Sequence, residues 1–195
     1  MKNLDRIIFS HLNINSIRNK LETLHDIVKN KIDILLLSET KIGSIFPETQ
    51  FLLNGFSTPF RLDRTANGGG LLLYVRHDIP CKLLNLNSEI ECIVTEVTIG
   101  KKKMLLLGTY NSSKTLIVKN LLTLGNILIK YFPSYDNFVI LRNFNCEIKE
   151  SHFLDFCDSF DIKNLIKMPI CYKSKTNPSC IYLILTYKSA CFQNS

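Results

Sequence analysis

Several features are missing from this sequence, and each absence excludes a class of protein. The cysteines number seven, which is odd, and include no Cys-x-x-Cys pair, so we interpret them as reduced core residues of an intracellular protein. No apolar run approaches the roughly 20 residues that span a bilayer. The first ten residues place Asp5 and Arg6 before a short apolar stretch, which predicts neither a signal peptide nor a membrane anchor. Internal repeats and low-complexity tracts are also absent.

What the chain does contain is enough apolar material for one core. Its 195 residues are 46% hydrophobic and 21% charged, which predicts a single domain over residues 1–195. The formal net charge is +7 and the sequence pI is about 9.0, which favours a polyanionic partner or substrate. A basic surface that serves solubility alone is the alternative.

Hydrophobic periodicity predicts the order β-α-β, a meander of strands, and then α-β-α-β. Such an order favours mixed sheets with helices outside, and an α/β (α+β) sandwich of two sheets fits it best. Residues 41–70 form a long polar excursion with at most a short strand near residues 51–56. We predict strands at residues 6–13, 34–37, 71–75, 79–84, 90–99, 104–110, 138–141 and 180–185, and helices at residues 17–28, 116–130 and 153–160.

Four of the apolar runs end in side chains that bind phosphate or metal. They are Asn13, Glu39, Tyr110 and Asn145. Buried strands that finish at one rim can gather such residues around a single pocket, although they lie far apart in sequence. This predicts a site at the rim, with one carboxylate where such chemistry usually needs more.

Each of these residues has an assignable role and a simpler alternative. Glu39 ends a run of leucines, where a buried carboxylate needs a cation such as Mg²⁺; otherwise it caps a loop or pairs with Lys41. Asn13 and Asn145 can orient a metal-bound water or hold a phosphoryl oxygen, or they are turn residues. Tyr110 can donate its phenol to a phosphate, or it is an ordinary edge residue.

Further polar residues are weaker candidates. His11 faces the same side of its strand as Asn13 and could act as a base, although a structural histidine is the alternative. Gly68-Gly69-Gly70 predicts a turn and lacks the context of a nucleotide-binding loop. Contacts with a nucleic-acid backbone, or mere solvation, are the two interpretations for Arg61, Arg64, Lys101, Lys102 and Lys103.

An ordered set of motifs resembles the endonuclease/exonuclease/phosphatase family, and most of all the endonuclease domain of animal non-LTR retrotransposons of the jockey or CR1-like kind. The resemblance extends over nearly the entire chain. It implies a four-layer sandwich and a Mg²⁺-dependent phosphodiesterase that nicks DNA in the nucleus to leave a 3′-hydroxyl primer for reverse transcription. The motifs are Leu12-Asn13-Ile14-Asn15, Leu37-Ser38-Glu39-Thr40-Lys41, Gly68-Gly69-Gly70-Leu71-Leu72, Leu141-Arg142-Asn143-Phe144-Asn145 and Asn177-Pro178-Ser179-Cys180-Ile181.

The resemblance also implies roles and exposes departures. It puts Asn13 and Glu39 at the metal site and Tyr110 and Asn145 around the scissile phosphate. The family pattern Gly-Asp-Phe-Asn reads Arg142-Asn143-Phe144-Asn145 here, and Tyr182 stands where the family has Asp. The family's closing strand and Ser-Asp-His motif do not occur before Ser195, so we expect a C-terminally truncated domain.

These departures predict a catalytically impaired or inactive domain. Losing one acid, base or electrostatic group typically costs about 10²–10⁴ in rate. We expect Mg²⁺ or Mn²⁺ to bind weakly and DNA, or alternatively RNA, to be the partner. The missing closing strand should leave a sheet edge uncovered, which favours self-association. The alternatives are a non-catalytic nucleic-acid-binding remnant and a pseudogene product without function.

Overall fold

Two mixed β-sheets lie face to face, with helices on their outer sides. The computed structural model describes residues 6–65, 68–111, 117–143, 151–166 and 182–187. The smaller sheet has the order β1-β2-β4-β3. Its strands are β1 (Phe9–Asn13), β2 (Ile34–Ser38), β3 (Phe60–Leu62) and β4 (Leu71–Val75), and helix α1 (Leu21–Val28) connects β1 to its parallel neighbour β2.

The larger sheet has six strands in the order β5-β6-β7-β8-β10-β9. Helix α2 crosses from β7 to the parallel strand β8, and α3 follows β8. The elements are β5 (Cys81–Leu83), β6 (Glu91–Ile99), β7 (Lys102–Tyr110), α2 (Ile117–Tyr131), β8 (Asn137–Asn143), α3 (Ser151–Ser159), β9 (Lys163–Asn164) and β10 (Tyr182–Thr186).

Three apolar layers hold these elements together. The layer between the sheets contains Leu36, Leu73, Leu106 and Leu141, all fully buried. A second layer lies between the smaller sheet and α1, and a third between the larger sheet and helices α2 and α3. Because both faces of each sheet are covered, strands such as β2 are buried throughout, and the residues of β2 do not alternate between apolar and polar. The predicted four-layer sandwich of two mixed sheets is confirmed.

The long excursion differs from the prediction. No strand forms at residues 51–56; a 3₁₀ helix, Glu48–Phe51, comes first, and the strand of this region is β3. Phe51 and Leu53 are buried against the outer face of the smaller sheet. Their apolar character therefore anchors a loop and does not indicate a strand. The two-residue strand β9 also had no counterpart in the prediction, because so short a segment has no measurable periodicity.

Two further predictions concern membrane-spanning segments and the state of the cysteines. Within the described ranges, no helix is both long and apolar enough to cross a bilayer. Cys81, Cys92 and Cys157 are free thiols, and burial raises the pKa of Cys92 to about 12.

Among the described strands β1 has one neighbour, β2, so it lies at an edge of its sheet. Self-association through an uncovered edge stays a prediction.

Candidate active site

Three of the four predicted site residues meet at one carboxylate. Asn13 is the last residue of β1, Glu39 follows β2, and Tyr110 is the last residue of β7. The Asn13 side-chain amide donates a hydrogen bond to Oε1 of Glu39 at 2.6 Å, and the Tyr110 hydroxyl donates to the same oxygen at 3.0 Å. Asn145 lies outside the described residues.

Strand geometry explains why these side chains converge. Strands β1 and β2 are parallel, and Asn13 is paired with Ser38, so both strands end at the same level. Strand β7 belongs to the other sheet, and Tyr110 lies on its inner face with Leu106. The carboxylate of Glu39 therefore bridges the two sheets at their common rim.

The backbone at Glu39 is in a conformation that few residues adopt. Its φ is +55°, in the left-handed region, and Lys41 also has a positive φ of +54°. The neighbouring backbone holds this turn, because Ser16 N–H donates to the carbonyl of Glu39 at 2.8 Å and Thr40 N–H donates to the carbonyl of Gly70 at 3.3 Å. A strained residue persists when its surroundings fix it, and such residues cluster at functional sites.

Asn13 also has the turn role that was considered as its alternative. Its side-chain oxygen accepts a hydrogen bond from the backbone N–H of Asn15 at 3.1 Å. Lys41 donates to the side-chain oxygen of Asn15. The cation of Lys41 therefore lies near the rim, and its hydrogen bond goes to the amide of Asn15.

His11 lies one step below this rim, on the same face of β1. Its Nε2 is 3.0 Å from the hydroxyl of Ser38. Burial lowers the pKa of His11 to about 3, so the imidazole is neutral at neutral pH. A neutral ring that bonds Ser38 supports the end of β2, and its base strength is lower than that of a free histidine.

The two substituted positions lie at the same end of the larger sheet as Tyr110, one and two strands away from it. In strand register Asn143 is paired with Tyr110 of β7 and with Tyr182 of β10. Asn143 is fully buried. Arg142, which stands where the family has glycine, is also fully buried and is the largest such side chain in the described residues. The departures from the family pattern therefore fall at the end of the sheet that carries the site.

Comparisons with known proteins agree on the architecture. No protein-family model and no curated protein matches the sequence. The endonuclease domain of TRAS1, a telomere-specific non-LTR retrotransposon, is similar in structure, with a TM-score of 0.67 and 12% identity over 90% of this chain and 82% of that one. An AP endonuclease from Archaeoglobus fulgidus gives 0.66 and 17% identity, over 93% of this chain and 87% of that one.

A third similar structure is the 3′ phosphatase NExo from Neisseria, bound to a product DNA hairpin. Its TM-score is 0.63 and its identity 15%, over 95% of this chain and 88% of that one. The fold is that of the endonuclease/exonuclease/phosphatase family. At identities this low, the similarity establishes the architecture of the chain alone.

Within the endonuclease/exonuclease/phosphatase fold, Arg61 is an internal residue. Its side chain is 10% exposed, forms an ion pair with Asp63 at 2.6 Å, donates to the carbonyl of Phe46, and lies 5.6 Å from the ring centroid of Phe51. The guanidinium of Arg61 fastens the excursion to the smaller sheet, and its contact with nucleic acid stays a prediction.

The lysines at the β6–β7 turn are far from the rim. Lys102 begins β7 and Tyr110 ends it, so about 27 Å of strand separates them. Lys103 forms an ion pair with Glu96 at 3.0 Å. The structure does not bring Lys101, Lys102 and Lys103 to the candidate site, and contact with nucleic acid at that end stays a prediction.

Arg64 and Glu91 lie at the rim, and sequence reasoning missed the glutamate. Arg64 donates to Oε1 of Glu91 at 2.9 Å, and Glu91 is paired with Tyr110 in strand register. A glutamate at the start of an apolar run gives no indication of which other strand ends will lie beside it. Its position becomes clear once β6 is known to pair with β7.

The donor set at Glu39 is small for a metal site. Within the described ranges, no group of three or more His, Cys, Asp or Glu side chains is arranged to hold a metal ion. Both hydrogen bonds from Asn13 and Tyr110 reach Oε1 of Glu39, which leaves Oε2 for a cation. One carboxylate with water and a substrate phosphate is a minimal set for Mg²⁺.

Proposed function

We propose that the chain is a DNA endonuclease domain of a non-LTR retrotransposon whose catalytic capacity is strongly reduced. The observation that carries the proposal is the bridge from Asn13 and Tyr110 to the carboxylate of Glu39 at the rim of the two sheets. The similar structures include a retrotransposon endonuclease domain and a phosphatase bound to DNA, which favours a phosphodiester or phosphate ester as the substrate class.

In this proposal Glu39 and Asn13 would hold a Mg²⁺ or Mn²⁺ ion, which would supply positive charge to a phosphate oxygen. The phenol of Tyr110 orients the Glu39 carboxylate by donating its single proton to Oε1. Asn143 lies buried beside Tyr110 and carries an amide, which cannot accept a proton from water. Because proton transfer of this kind contributes about 10²–10⁴ in rate, the amide accounts for impaired turnover.

Plasmid nicking tests this function. Supercoiled plasmid is incubated with the protein in Mg²⁺ or Mn²⁺, and relaxation is compared for the wild type, Glu39→Ala and the control Glu48→Ala, which changes an exposed glutamate of the 3₁₀ helix. We expect slow nicking that Glu39→Ala removes and Glu48→Ala retains. Nicking as fast as a complete family member, abolished by Glu39→Ala, would refute impairment. Residual nicking that survives Glu39→Ala would refute the site.

A nucleic-acid-binding remnant is the second candidate. The net charge of +7 and the half-exposed Arg64 at the rim favour it. Binding to duplex DNA or to RNA should weaken steeply as salt rises, because phosphate contacts release counterions. Binding that does not respond to salt would contradict this candidate, and absent binding would leave a product without function.

A further inference from the structure

The carboxylate of Glu91 joins the two sheets at the rim that carries Glu39. Glu91 begins β6 of the larger sheet, whereas Gly70 immediately precedes β4 of the smaller one. Oε2 of Glu91 accepts a hydrogen bond from the backbone N–H of Gly70 at 2.8 Å, and Oε1 accepts one from Arg64 at 2.9 Å. One side chain therefore holds both the backbone and a cation of the opposite sheet.

The contact continues from Gly70 to the turn that contains Glu39. The carbonyl of Gly70 accepts from the N–H of Thr40 at 3.3 Å, and the carbonyl of Gly69 accepts from the N–H of Lys41 at 3.1 Å. Thr40 and Lys41 directly follow Glu39, whose left-handed backbone has to be held by its surroundings. Glu91 thus lies at the start of a hydrogen-bond path that ends beside Glu39.

Two glycines make this approach possible. A Cβ on Gly69 would lie 2.9 Å from both carboxylate oxygens of Glu91 and 2.5 Å from Cδ of Arg64. A Cβ on Gly70 would lie 2.5 Å from the hydroxyl of Thr40, and both glycines have a positive φ. Gly68, in contrast, has open space around it. The glycine run therefore serves a close contact as well as a turn.

Arg64 completes the arrangement on the solvent side. Its side chain is 48% exposed, whereas that of Glu91 is 17% exposed. A guanidinium can bond a carboxylate through one nitrogen and offer its other donors to a phosphate. We propose that Glu91 is a positioning residue of this site, which fixes the Glu39 turn through Gly70 and presents Arg64 to a phosphate of the nucleic-acid backbone. The substrate class in this inference rests on the proposed function.

DNA binding gives the first test, using a short fluorescent duplex over a range of salt concentrations. Glu91→Gln removes a negative charge, so simple electrostatics predicts tighter binding. A glutamine, however, accepts from one of the two donors and turns its NH₂ towards the other. We therefore expect Glu91→Gln and Arg64→Ala each to weaken binding about fivefold and to lower the salt slope by about one phosphate contact. Equal or tighter binding by Glu91→Gln would overturn the proposal.

The matched control for this test is Glu96→Gln. Glu96 lies in the middle of the same strand, away from the rim, and forms an ion pair with Lys103, so the charge change is the same. Glu96→Gln should bind DNA like the wild type. A second pair of variants leaves the net charge unchanged. Gly69→Ala should weaken DNA binding, because its Cβ would meet Glu91 and Arg64, whereas Gly68→Ala should not.

Amide hydrogen exchange separates this inference from the proposed function. We expect the amides of Thr40 and Lys41 to exchange about tenfold faster in Glu91→Gln, and to be unchanged in Glu96→Gln. If the wild type itself binds no DNA but exchange accelerates in this way, the proposed function and the phosphate contact of Arg64 fail, whereas the positioning of the Glu39 turn by Glu91 stands. Unchanged exchange at both amides would overturn the positioning role.

Discussion

Tyr110 donates a hydrogen bond to Oε1 of Glu39 across the boundary between the two sheets, although 71 positions separate them in sequence. The phenol comes from the larger sheet and the carboxylate from the smaller one. The position of the site's carboxylate therefore depends on how the sheets pack, and a change in that packing moves the acid relative to the phenol.

Replacing Tyr110 with phenylalanine tests this dependence. Phenylalanine retains the buried ring and removes one hydrogen bond to a charged acceptor, so we expect a loss of about 1–2 kcal/mol in the free energy of unfolding. Any Glu39-dependent nicking should fall about tenfold, because the carboxylate loses a group that orients it. Urea denaturation and plasmid relaxation measure the two effects. An unchanged nicking rate would show that the phenol does not act on the site.

The sequence predicted one half of the site more securely than the other. Asn13 and Glu39 follow two parallel strands of one βαβ unit, so local patterns place their side chains at one end of a sheet. Tyr110 joins them through the packing of the second sheet, which no local pattern encodes. Glu91 is more remote still, since its role depends on the pairing of β6 with β7 and on the approach of Gly70.

The cationic residues show what the sequence leaves open. An arginine in a polar excursion normally faces water, yet the side chain of Arg61 is only 10% exposed, because Asp63 and backbone carbonyls accept its hydrogen bonds. Lys101–Lys103 are consecutive in sequence, but the sequence does not show how far they lie from Tyr110. That distance is set by the length of β7. The low exposure of Arg61 and the distance of the lysines from Tyr110 both depend on tertiary structure, so they could not be predicted from composition.

Removing that lysine cluster is therefore expected to have little effect at the site. A variant with Lys101, Lys102 and Lys103 changed to alanine should bind a short duplex within about twofold of the wild type, because a short duplex at the rim does not reach them. Fluorescence anisotropy measures this, with Arg64→Ala as the comparison. A larger loss than that of Arg64→Ala would place the nucleic acid on the other end of the sandwich.

A buried ion pair at the other end of the smaller sheet controls stability. Asp33 is fully buried, pairs with Arg76, and accepts the backbone N–H of Ile8 at 2.8 Å. Asp33→Asn should cost about 3 kcal/mol, because it leaves Arg76 short of a charged partner. Chemical denaturation measures the change, and Asp26→Asn, at a position 87% exposed, is the control. Equal stability of the two variants would contradict this role for Asp33.

Acid should weaken the same end through Asp78. The hydrogen bond from Arg76 lowers the pKa of Asp78 below its ordinary value of 3.8. A carboxylate with a lowered folded-state pKa stabilises the protein above the unfolded-state pKa, and this contribution is lost as the pH falls through the folded-state value. The stability difference between wild type and Asp78→Asn should therefore be constant near neutrality and shrink below about pH 4. A difference that grows on acidification would contradict the ion pair.

Restoring a carboxylate at Asn143 tests the interpretation of the departures. Asn143 is fully buried beside Tyr110, so Asn143→Asp places a charge where burial is expensive unless a cation accompanies it. We expect this variant to melt at a lower temperature than the wild type in chelator and to regain stability in Mg²⁺, since a ligand that binds the folded state raises the melting temperature. Asn137→Asp, at the opposite end of β8, should show no Mg²⁺ dependence.

Restoring both substituted carboxylates should increase activity if these substitutions limit turnover. Asn143→Asp combined with Tyr182→Asp should nick plasmid at least about tenfold faster than the wild type in Mg²⁺, and Glu39→Ala in that background should remove the gain. A double variant that binds Mg²⁺ but nicks no faster would show that groups outside these positions limit the reaction. A variant that neither responds to Mg²⁺ nor nicks would refute the assignment of Asn143 and Tyr182 to this site.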